Sequence, residues 1–506
     1  MRTFITRRRI ETAEVNGALN IQLHPGFGTP KAAIVYSMTN DGANNTNQTF
    51  ADTESPCMGV GFMASVTGAT GFTTRSAGWI TDATDAVAAD KYFWADGTCA
   101  YDGNTGATRT RKWLASGFGP DIIYGSLVET GTQNMPLDLI IIAFTGDDFT
   151  AAVGTMTLSN TINGTAAVTN LSFAPDAVLL LNQPSTTNLS ANATLSFGGG
   201  TKAWSGFGVS GQGHFSFEFR DTLDPTELRS RISNTRIASY TATTHTAELT
   251  GFSGVGFTIT SRVAGAGSNT TYFLAMKAKS PVDFYASGFR TYGVAVGNTS
   301  LPLPFNPQLV IGNLSADNAF DALDTSDDGA TFNLFAGTGH STKFHNGIGT
   351  ITSSTGSATI TGTGTSFRQQ ISIGDNIYNS SNTFIGTVSA IGSETSITLA
   401  ANGAVTQSPT AAYYFDKSMQ WNLNFMADDA NSTNSPNRGR IGTQLFYNAT
   451  AITPTERVIG QMNNFDYCND MDYVLTTNTG SRFGWIMAFA NNEGGNGYRR
   501  AIEDIN

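Results

Sequence analysis

Three stretches of the sequence share one pattern that decides the fold: residues 26–35 read GFGTPKAAIV, residues 171–180 read LSFAPDAVLL, and residues 303–311 read LPFNPQLVI. Each has a Phe followed within three residues by a Pro, and then an apolar run. Pro is tolerated at the start of a strand because that position need not donate to the ladder. The run that follows has the length and the β-branched content of a buried strand. The pattern therefore predicts the same opening strand three times.

Each opening strand has a matching partner further along the chain: LIIIAF at 139–144, YFLAM at 272–276 and WIMAF at 485–489. An Ala stands one residue before the end of all three. We predict that the opening and closing strands of each copy pair at the centre of a sheet. Each copy then has the size of a β-sandwich domain, and the third is about 70 residues longer than the first.

The composition favours an all-β fold. A chain of 506 residues is too long for a single core, so about three domains are expected. Only 13% of the residues are charged, against roughly a quarter in an ordinary soluble protein, while there are 55 Gly and 33 Phe. A disordered chain has few aromatic residues and many charges. The sequence therefore predicts an all-β chain with three tandem, jelly-roll-like β-sandwich repeats.

The repeat also divides the chain into domains. The lead-ins resemble each other, with DFTA at 148–151 and DFYA at 283–286. The predicted division is 1–25, N-terminal arm and connector; 26–146, first sandwich; 147–278, connector and second sandwich; 279–346 with 413–491, connector and third sandwich; 347–412, inserted small β-domain; and 492–506, C-terminal tail. Alternation in HFSFEFR at 214–220 and QWNLNF at 420–425 indicates half-buried antiparallel strands.

The surplus of the third copy has a pattern of its own. It reads GTGTSF at 362–367, SIGDNIY at 372–378 and IGTVSAIGSETSITLAA at 385–401, which predicts short strands with Gly and Asn turns in a five-stranded mini-barrel. This order resembles a small β-domain found in tail, fibre and head-decorating proteins of tailed bacteriophages. The repeated unit also resembles phage structural domains. The resemblance covers about 60 residues and implies a virion context, with no implied chemistry.

The charge distribution argues against two classes of partner. The formal net charge of −11 disfavours nonspecific binding to nucleic acid. The longest apolar run, 137–144, contains Asp138 and is too short to span a bilayer, and no secretory h-region follows the first arginines. We expect a protein made in the cytosol that stays soluble until it assembles. The cluster Arg7-Arg8-Arg9 has two interpretations: a solvated charge cluster, or an arm that binds an acidic neighbouring subunit.

Histidines, acidic residues and cysteines give no metal or catalytic pattern. His340 and His345 lack a standard ligand spacing, and the other three histidines stand alone: His24, His214 and His245. The acidic stretch 321–329 departs from the EF-hand spacing, so a solvated turn is favoured over a calcium loop. Three widely spaced cysteines form neither a disulfide framework nor a zinc site, which favours buried thiols.

Enzyme motifs are also incomplete. The run GGGTK at 198–202 fails the phosphate-loop pattern, and no βα unit surrounds it. Asp428, Asp429 and Glu218 could pair as glycosidase carboxylates, but no aromatic sugar platform is evident near them. We therefore expect no catalytic residue, no metal and no cofactor.

These features favour a non-enzymatic structural protein on the outside of a tailed-phage particle, with capsid decoration or cementing as the leading role. The expected partners are other virion proteins, either the major capsid protein or tail and vertex proteins, and self-association is left open. Arg7, Arg8 and Arg9 are the candidate partner-binding residues. The main alternative is a tail fibre or spike component that binds host-surface glycans, and a phage-encoded hydrolase is a third.

Overall fold

The fold was determined as a computed structural model, which describes residues 1–12, 14, 16–23, 26–40, 48–49, 57–65, 72–80, 91–103, 110–133, 135–182, 190–191, 194–202, 209–220, 227–240, 245–264, 269–291, 295–305, 307–314, 320–321, 323–324, 330–371, 374–427, 438–449, 456–464, 470–478 and 482–490. Within these ranges the chain is all-β, as predicted: it forms forty strands, one turn of α-helix and one turn of 3-10 helix. The predicted C-terminal tail, 492–506, lies outside the described residues.

The first twelve strands form unit 1. They are β1 Arg2–Ile10, β2 Gly17–Ala18, β3 Ile21–Gln22, β4 Ala32–Thr39, β5 Gln48–Thr49, β6 Cys57–Ser65, β7 Phe72–Ile80, β8 Lys91–Asp96, β9 Ala100–Gly103, β10 Thr110–Gly119, β11 Ile122–Thr130 and β12 Leu137–Thr145. The larger sheet has the order β1-β12-β4-β6-β7-β8. The smaller sheet has the order β2-β11-β10-β9, and β3 also pairs with β11.

Unit 2 consists of the next eleven strands. They are β13 Thr150–Leu158, β14 Thr165–Val168, β15 Ala177–Asn182, β16 Ser190–Ala191, β17 Thr194–Lys202, β18 Val209–Arg220, β19 Glu227–Ser233, β20 Ala238–Tyr240, β21 His245–Ser253, β22 Gly256–Val263 and β23 Asn269–Lys277. Its larger sheet has the order β13-β23-β15-β17-β18-β19, and its smaller sheet β14-β22-β21-β20. A 3-10 turn at Pro281–Asp283 leads into unit 3.

Unit 3 is interrupted by the insert. Its strands are β24 Phe284–Arg290, β25 Gly297–Pro302, β26 Pro307–Leu314, β27 Leu323–Asp324, β28 Ala330–Asn346, β35 Tyr413–Ala427, β36 Arg438–Gly442, β37 Phe446–Ala449, β38 Glu456–Asn464, β39 Asp470–Asn478 and β40 Phe483–Ala490. The insert consists of β29 Thr350–Ser354, β30 Ser357–Thr363, α1 Phe367–Gln370, β31 Asn376–Asn379, β32 Phe384–Ser393, β33 Ser396–Leu399 and β34 Gln407–Ala411.

The same strand order recurs in all three units. In unit 3 the larger sheet follows β24-β40-β26-β28-β35-β36, and the smaller follows β25-β39-β38-β37. The opening strand (β4, β15 or β26) pairs with the closing strand (β12, β23 or β40), which confirms the pairing predicted from the Pro and Ala motifs. Beyond the closing strand lies one more strand: β1, β13 or β24. The residues predicted to be connectors therefore begin with a strand of the sheet.

Each unit is sandwich-like because its two sheets share a buried apolar cluster. In unit 1, Val35 of the larger sheet and Trp113 of the smaller sheet belong to one cluster. Leu180 and Ile259 do the same in unit 2. In unit 3 the shared cluster includes Val310 and Tyr473. The side chains that join the two sheets alternate along each strand with side chains that point to the opposite face.

Those opposite faces meet in one central core, to which all three larger sheets contribute. Phe197 of unit 2 contacts both other units, with its ring centroid 6.0 Å from that of Tyr36 of unit 1 and 6.2 Å from that of Trp485 of unit 3. Phe144 of unit 1 contacts Phe489 of unit 3 at 5.3 Å. The central strands of the larger sheets are thus buried on both faces, and this explains why β4 and β12 are buried at every position.

The same arrangement overturns one expectation, because the alternating strands are not half-buried. In β18, Phe215 belongs to the central core, while His214 and Ser216 are buried on the other face. In β35, Trp421 belongs to the central core, and Asn422 on the other face donates from Nδ2 to the Gln444 carbonyl at 2.7 Å. The polar face meets the smaller sheet instead of water, so its side chains must find partners inside the protein.

Short strands link the units into a closed cycle. Each of these short strands lies in the connection between the opening strand and the next long strand of its own unit. It pairs with the last strand in the larger sheet of another unit. β16 of unit 2 pairs with β8 of unit 1, β27 of unit 3 pairs with β19 of unit 2, and β5 of unit 1 pairs with β36 of unit 3. Each unit therefore covers the edge of one neighbour and has its own edge covered by the other, which gives the chain pseudo-threefold symmetry.

Trp485 fits the central core because unit 2 has glycines opposite it. A Cβ atom at Gly213 of β18 would lie 1.9 Å from Trp485 Cδ1, and one at Gly199 of β17 would lie 3.1 Å from Trp485 Cη2. Any side chain at Gly213 would overlap the indole ring. The glycine-rich run 198–200 thus lies in a strand at the junction of two units.

The insert extends from the ladder of β28 and β35, which pair as far as Asn346 and Tyr414. Its strands lie within the predicted range 347–412. They enclose a core of their own, which includes Phe367 of α1 and Ile397 of β33. The same core also contains Tyr413 and Phe415 of β35, so the insert shares a strand with unit 3.

We expect Gly213→Ala to lower the free energy of unfolding by about 1–3 kcal/mol, because the added methyl group overpacks the buried Trp485 ring. Gly251→Ala is the matched control, since a Cβ atom at Gly251 in β21 would meet nothing within 4 Å. Equilibrium denaturation of both variants measures the difference. Equal stabilities would contradict the close approach of units 2 and 3 at this point.

Candidate functional site

The three arginines predicted to bind a partner lie in β1, which pairs along its length with β12. The exposed fractions of Arg7, Arg8 and Arg9 are 2%, 5% and 14%. The expectation of an exposed arm is therefore not met in the structure. β1 is a strand of the larger sheet, in which Arg7 contacts unit 3 and Arg8 lies beside the insert instead of facing solvent.

Arg7 and Arg9 are held by one carboxylate. Arg7 Nε donates to Asp138 Oδ1 at 2.6 Å, and Asp138 is fully buried in β12. Arg9 Nη1 lies 3.6 Å from the other oxygen of Asp138. The Arg7 guanidinium also lies over the ring of Trp421 in unit 3, 5.2 Å from its centroid. A charge buried this deeply requires such partners, because burial without them is very costly.

Arg8 connects unit 1 to the insert. Its Nη2 donates to Glu14 Oε2 at 2.6 Å, and Glu14 Oε1 lies 3.6 Å from Nη1 of Arg368 in α1. Desolvation by burial lowers the pKa of Arg8, and the charges of Glu14 and Glu394 oppose this shift. Glu14 thus bridges two arginines from parts of the chain that are far apart in sequence. The sequence contained one signal for the buried arginines of β1: Asp138, which pairs with Arg7 and Arg9, interrupts an otherwise apolar run.

A second buried charge network lies in unit 1. Arg111 is fully buried, and its Nη2 donates to Asp102 Oδ2 at 2.8 Å and to the Met135 carbonyl at 2.6 Å. The Cys57 thiol donates to Asp102 Oδ1 at 3.1 Å. Burial raises the pKa of the Cys99 thiol to about 12. Cys57 and Cys99 are buried free thiols, as expected, while Cys468 lies outside the described residues.

The histidines predicted to be structural are placed in the interior. His214 is fully buried, and burial lowers its pKa to about 4, while its Nδ1 lies 3.2 Å from the Arg236 carbonyl oxygen. His245 is buried with its Nε2 3.3 Å from Ser261 Oγ. His24 lies outside the described residues, as do the side chains of His340 and His345.

The acidic stretch joins two units where it is described. The Asp321 carboxylate lies 3.9 Å from Arg231 of unit 2, and the Asp321 backbone N–H donates to the Ile232 carbonyl at 2.8 Å. Asp324 lies in β27, opposite Ser230. Residues 325–329, Asp428 and Asp429 lie outside the described residues, as does the side chain of Glu218.

Unit 2 carries an open groove of about 840 Å³ between its two sheets. The groove follows β13 on one side, and β14 with residues 169–172 on the other. Its described lining has no charged side chain, and seven of its sixteen residues carry a hydroxyl or amide group, Thr157 and Asn170 among them. The equivalent strand of unit 1 is β1, and there the insert packs against Arg8 and Arg9. The groove is therefore open in unit 2 at the position where unit 1 is covered.

In the part of the chain that the structure describes, no group of three or more His, Cys, Asp or Glu side chains is placed to hold a metal ion. The described residues also include no helix with the length and hydropathy needed to cross a bilayer. Comparison with known proteins gives no match to any family model and none to a curated protein.

We expect Asp138→Asn to lower the free energy of unfolding by about 3–5 kcal/mol, because it leaves the buried Arg7 charge without its counter-charge. The double variant Arg7→Met, Asp138→Leu removes both charges and should be distinctly more stable than Asp138→Asn alone. Denaturation in urea measures both. An effect below about 0.5 kcal/mol for Asp138→Asn would indicate an exposed pair and restore the arm interpretation.

Proposed function

We propose that this protein is a non-enzymatic structural protein of a tailed-bacteriophage particle, bound to the exterior of the capsid as a decoration or cement protein. The observation that carries the proposal is the pseudo-threefold arrangement of three units with one strand order in a single chain. The resemblance of residues 347–412 to a small phage β-domain supports the virion context.

A pseudo-threefold chain suits a threefold position of a shell. Three capsid subunits around such a position present three equivalent surfaces, and a ligand with three similar units can contact all of them at once. Contacts made together in this way reinforce one another through a high effective concentration. The low charge content of 13% is compatible with broad contact, because charged residues are depleted at the centres of interfaces.

A cement protein acts through mass action. It binds the assembled shell and not the free capsid subunits, and so it stabilises the assembled state. No chemical step is needed for this role. The proposed partner is the major capsid protein, and the proposed location is the virion surface.

The alternative is a tail fibre or spike component that binds host-surface glycans. The groove of unit 2 favours it, since hydroxyl and amide side chains can form hydrogen bonds with a neutral sugar. No aromatic platform supports this alternative: Phe273, the aromatic residue in the described lining, is only 4% exposed. Decoration therefore remains the first proposal.

Particles that lack the protein should still assemble and adsorb normally, but release their genomes at lower temperature or under milder osmotic shock. Genome release and adsorption are both measured on the same preparation, and purified protein added back should restore genome retention. A fibre gives the opposite pair of results, with stable particles that fail to adsorb. Gel densitometry of purified virions adds an independent measurement: dozens to hundreds of copies support decoration, and a few copies contradict it.

The groove separates the two proposals by mutation. Thr157→Lys places a charge in the groove, and Thr250→Lys is the matched control, because Thr250 is also exposed and lies on β21 of the same unit outside the groove lining. If the protein is a glycan-binding fibre, Thr157→Lys should reduce adsorption and Thr250→Lys should not. If it is a decoration protein, adsorption is unchanged in both.

A further inference from the structure

A small cavity lies where the insert packs against β1 of unit 1. Its volume is about 20 Å³, which exceeds the roughly 10–15 Å³ needed for one water-sized occupant. Most of its lining is cationic, from Arg7, Arg8 and Arg9 of β1 and Arg368 of α1, with Glu11 and the apolar Ile391 beside them.

Two hydrogen-bond donors at this cavity have no acceptor among the described residues. The Nε–H groups of Arg8 and Arg368 are inaccessible to solvent and unpaired, although the other guanidinium nitrogens of both residues are in contact with Glu14 or with backbone carbonyls. The Arg8 residue as a whole is also deeply buried, with an exposed fraction of only 5%. An unpaired donor buried this deeply costs about 1–3 kcal/mol, and more when it is charged.

The carboxylates around the cavity are already engaged. Asp138 holds Arg7 and Arg9, Glu14 bridges Arg8 and Arg368, and Glu394 accepts the backbone N–H of Arg368 at 3.2 Å. Glu11, which lines the cavity, lies 3.3 Å from Arg9 Nε. Four carboxylates thus balance four arginines in the wider network, whereas the lining of the cavity itself has four arginines and one carboxylate.

We propose that this cavity binds one small monatomic anion, with chloride as the physiological occupant. A guanidinium group has only donors, so the occupant should accept several hydrogen bonds and need not donate any. A water molecule would have to place two hydrogens against a lining dominated by donors. The cavity has room for one water-sized occupant, and a monatomic anion is close to a water molecule in size. The anion would accept the Nε–H groups of Arg8 and Arg368.

The anion therefore joins unit 1 to the insert. Arg8 lies in β1 and Arg368 in α1 of the insert, so one ion contacts two segments 360 residues apart in sequence. This role is independent of the proposed decoration function, because it concerns the joint between two parts of one chain. It predicts that docking of the insert depends on the identity of the anion in solution and not only on ionic strength.

The test is thermal unfolding of the full-length protein in sodium chloride and in sodium gluconate at equal ionic strength. Screening is the same in both salts, and the general effect of each anion on stability is shared by the wild-type protein and a variant without the cavity arginine, so a difference confined to the wild-type protein reports specific binding. We expect a higher unfolding midpoint in chloride for the wild-type protein, since a ligand that binds only the folded state stabilises it. Line broadening of the halide NMR signal on addition of protein gives a direct measure of binding.

Arg368→Gln should abolish both the difference between the salts and the line broadening. Arg262→Gln is the matched control: Arg262 is likewise a partly exposed arginine that pairs with a glutamate, Glu248, but it lies in unit 2 away from the cavity. We expect Arg262→Gln to keep both signals. Equal midpoints of the wild-type protein in the two salts, or line broadening that persists in Arg368→Gln, would overturn the proposal.

A second variant covers the case in which Arg368→Gln fails to fold. Ile391→Glu places a tethered carboxylate at the cavity, where it can take the place of the ion. This variant should fold and lose the difference between chloride and gluconate. A chloride effect of wild-type size in folded Ile391→Glu would contradict binding at this position. Bromide-soaked crystals of the wild-type protein should show an anomalous peak beside Arg8 and Arg368, and a peak confined to other sites would likewise refute it.

Discussion

The three larger sheets bury their inner faces against one another in a single core, and the rest of the structure depends on this packing. Tyr36, Phe197 and Trp485 come from three different units, and the Phe197 ring contacts the other two inside this core. Since the outer face of each larger sheet packs against its smaller sheet, central strands such as β4 and β12 are excluded from water on both sides. A unit separated from the other two would expose the apolar inner face of its larger sheet to water. The folded state of each unit therefore depends for its stability on the other two.

The closed cycle of short strands follows from the same packing. A sheet buried on both faces can still pair with other chains through its edge, and an uncovered edge is a risk for aggregation. Here β16, β27 and β5 each cover the edge of a neighbouring unit. Unit 2 covers unit 1, unit 3 covers unit 2, and unit 1 covers unit 3. The three contacts therefore form a closed ring and do not propagate into a filament.

The insert breaks the threefold pattern, and the candidate sites lie where it does so. In unit 1 the insert covers the strand β1, and four arginines with their carboxylates fill the joint. In unit 2 the equivalent strand β13 borders an open, uncharged groove. The same position in the fold is thus an internal joint in one unit and an accessible surface in another, and the difference comes from a single connection, 347–412, between β28 and β35.

The sequence by itself determined the all-β class, the threefold repetition of the opening and closing strands, and the place of the insert. These follow from local patterns, since a Pro before an apolar run and an Ala near the end of another specify a strand without knowledge of its neighbours. Only the tertiary structure decided which faces are buried. Alternation in β18 and β35 shows that a strand has two different faces, but it does not show whether water or a second sheet meets the polar one. For the same reason Arg7 and Arg8 read as an exposed cluster. The partners of Arg7, Asp138 and Trp421, are brought to it by packing between distant segments, which no local pattern encodes. Glu14 is close to Arg8 in sequence, but Arg368, which shares this carboxylate and helps to cover Arg8, comes from the distant insert.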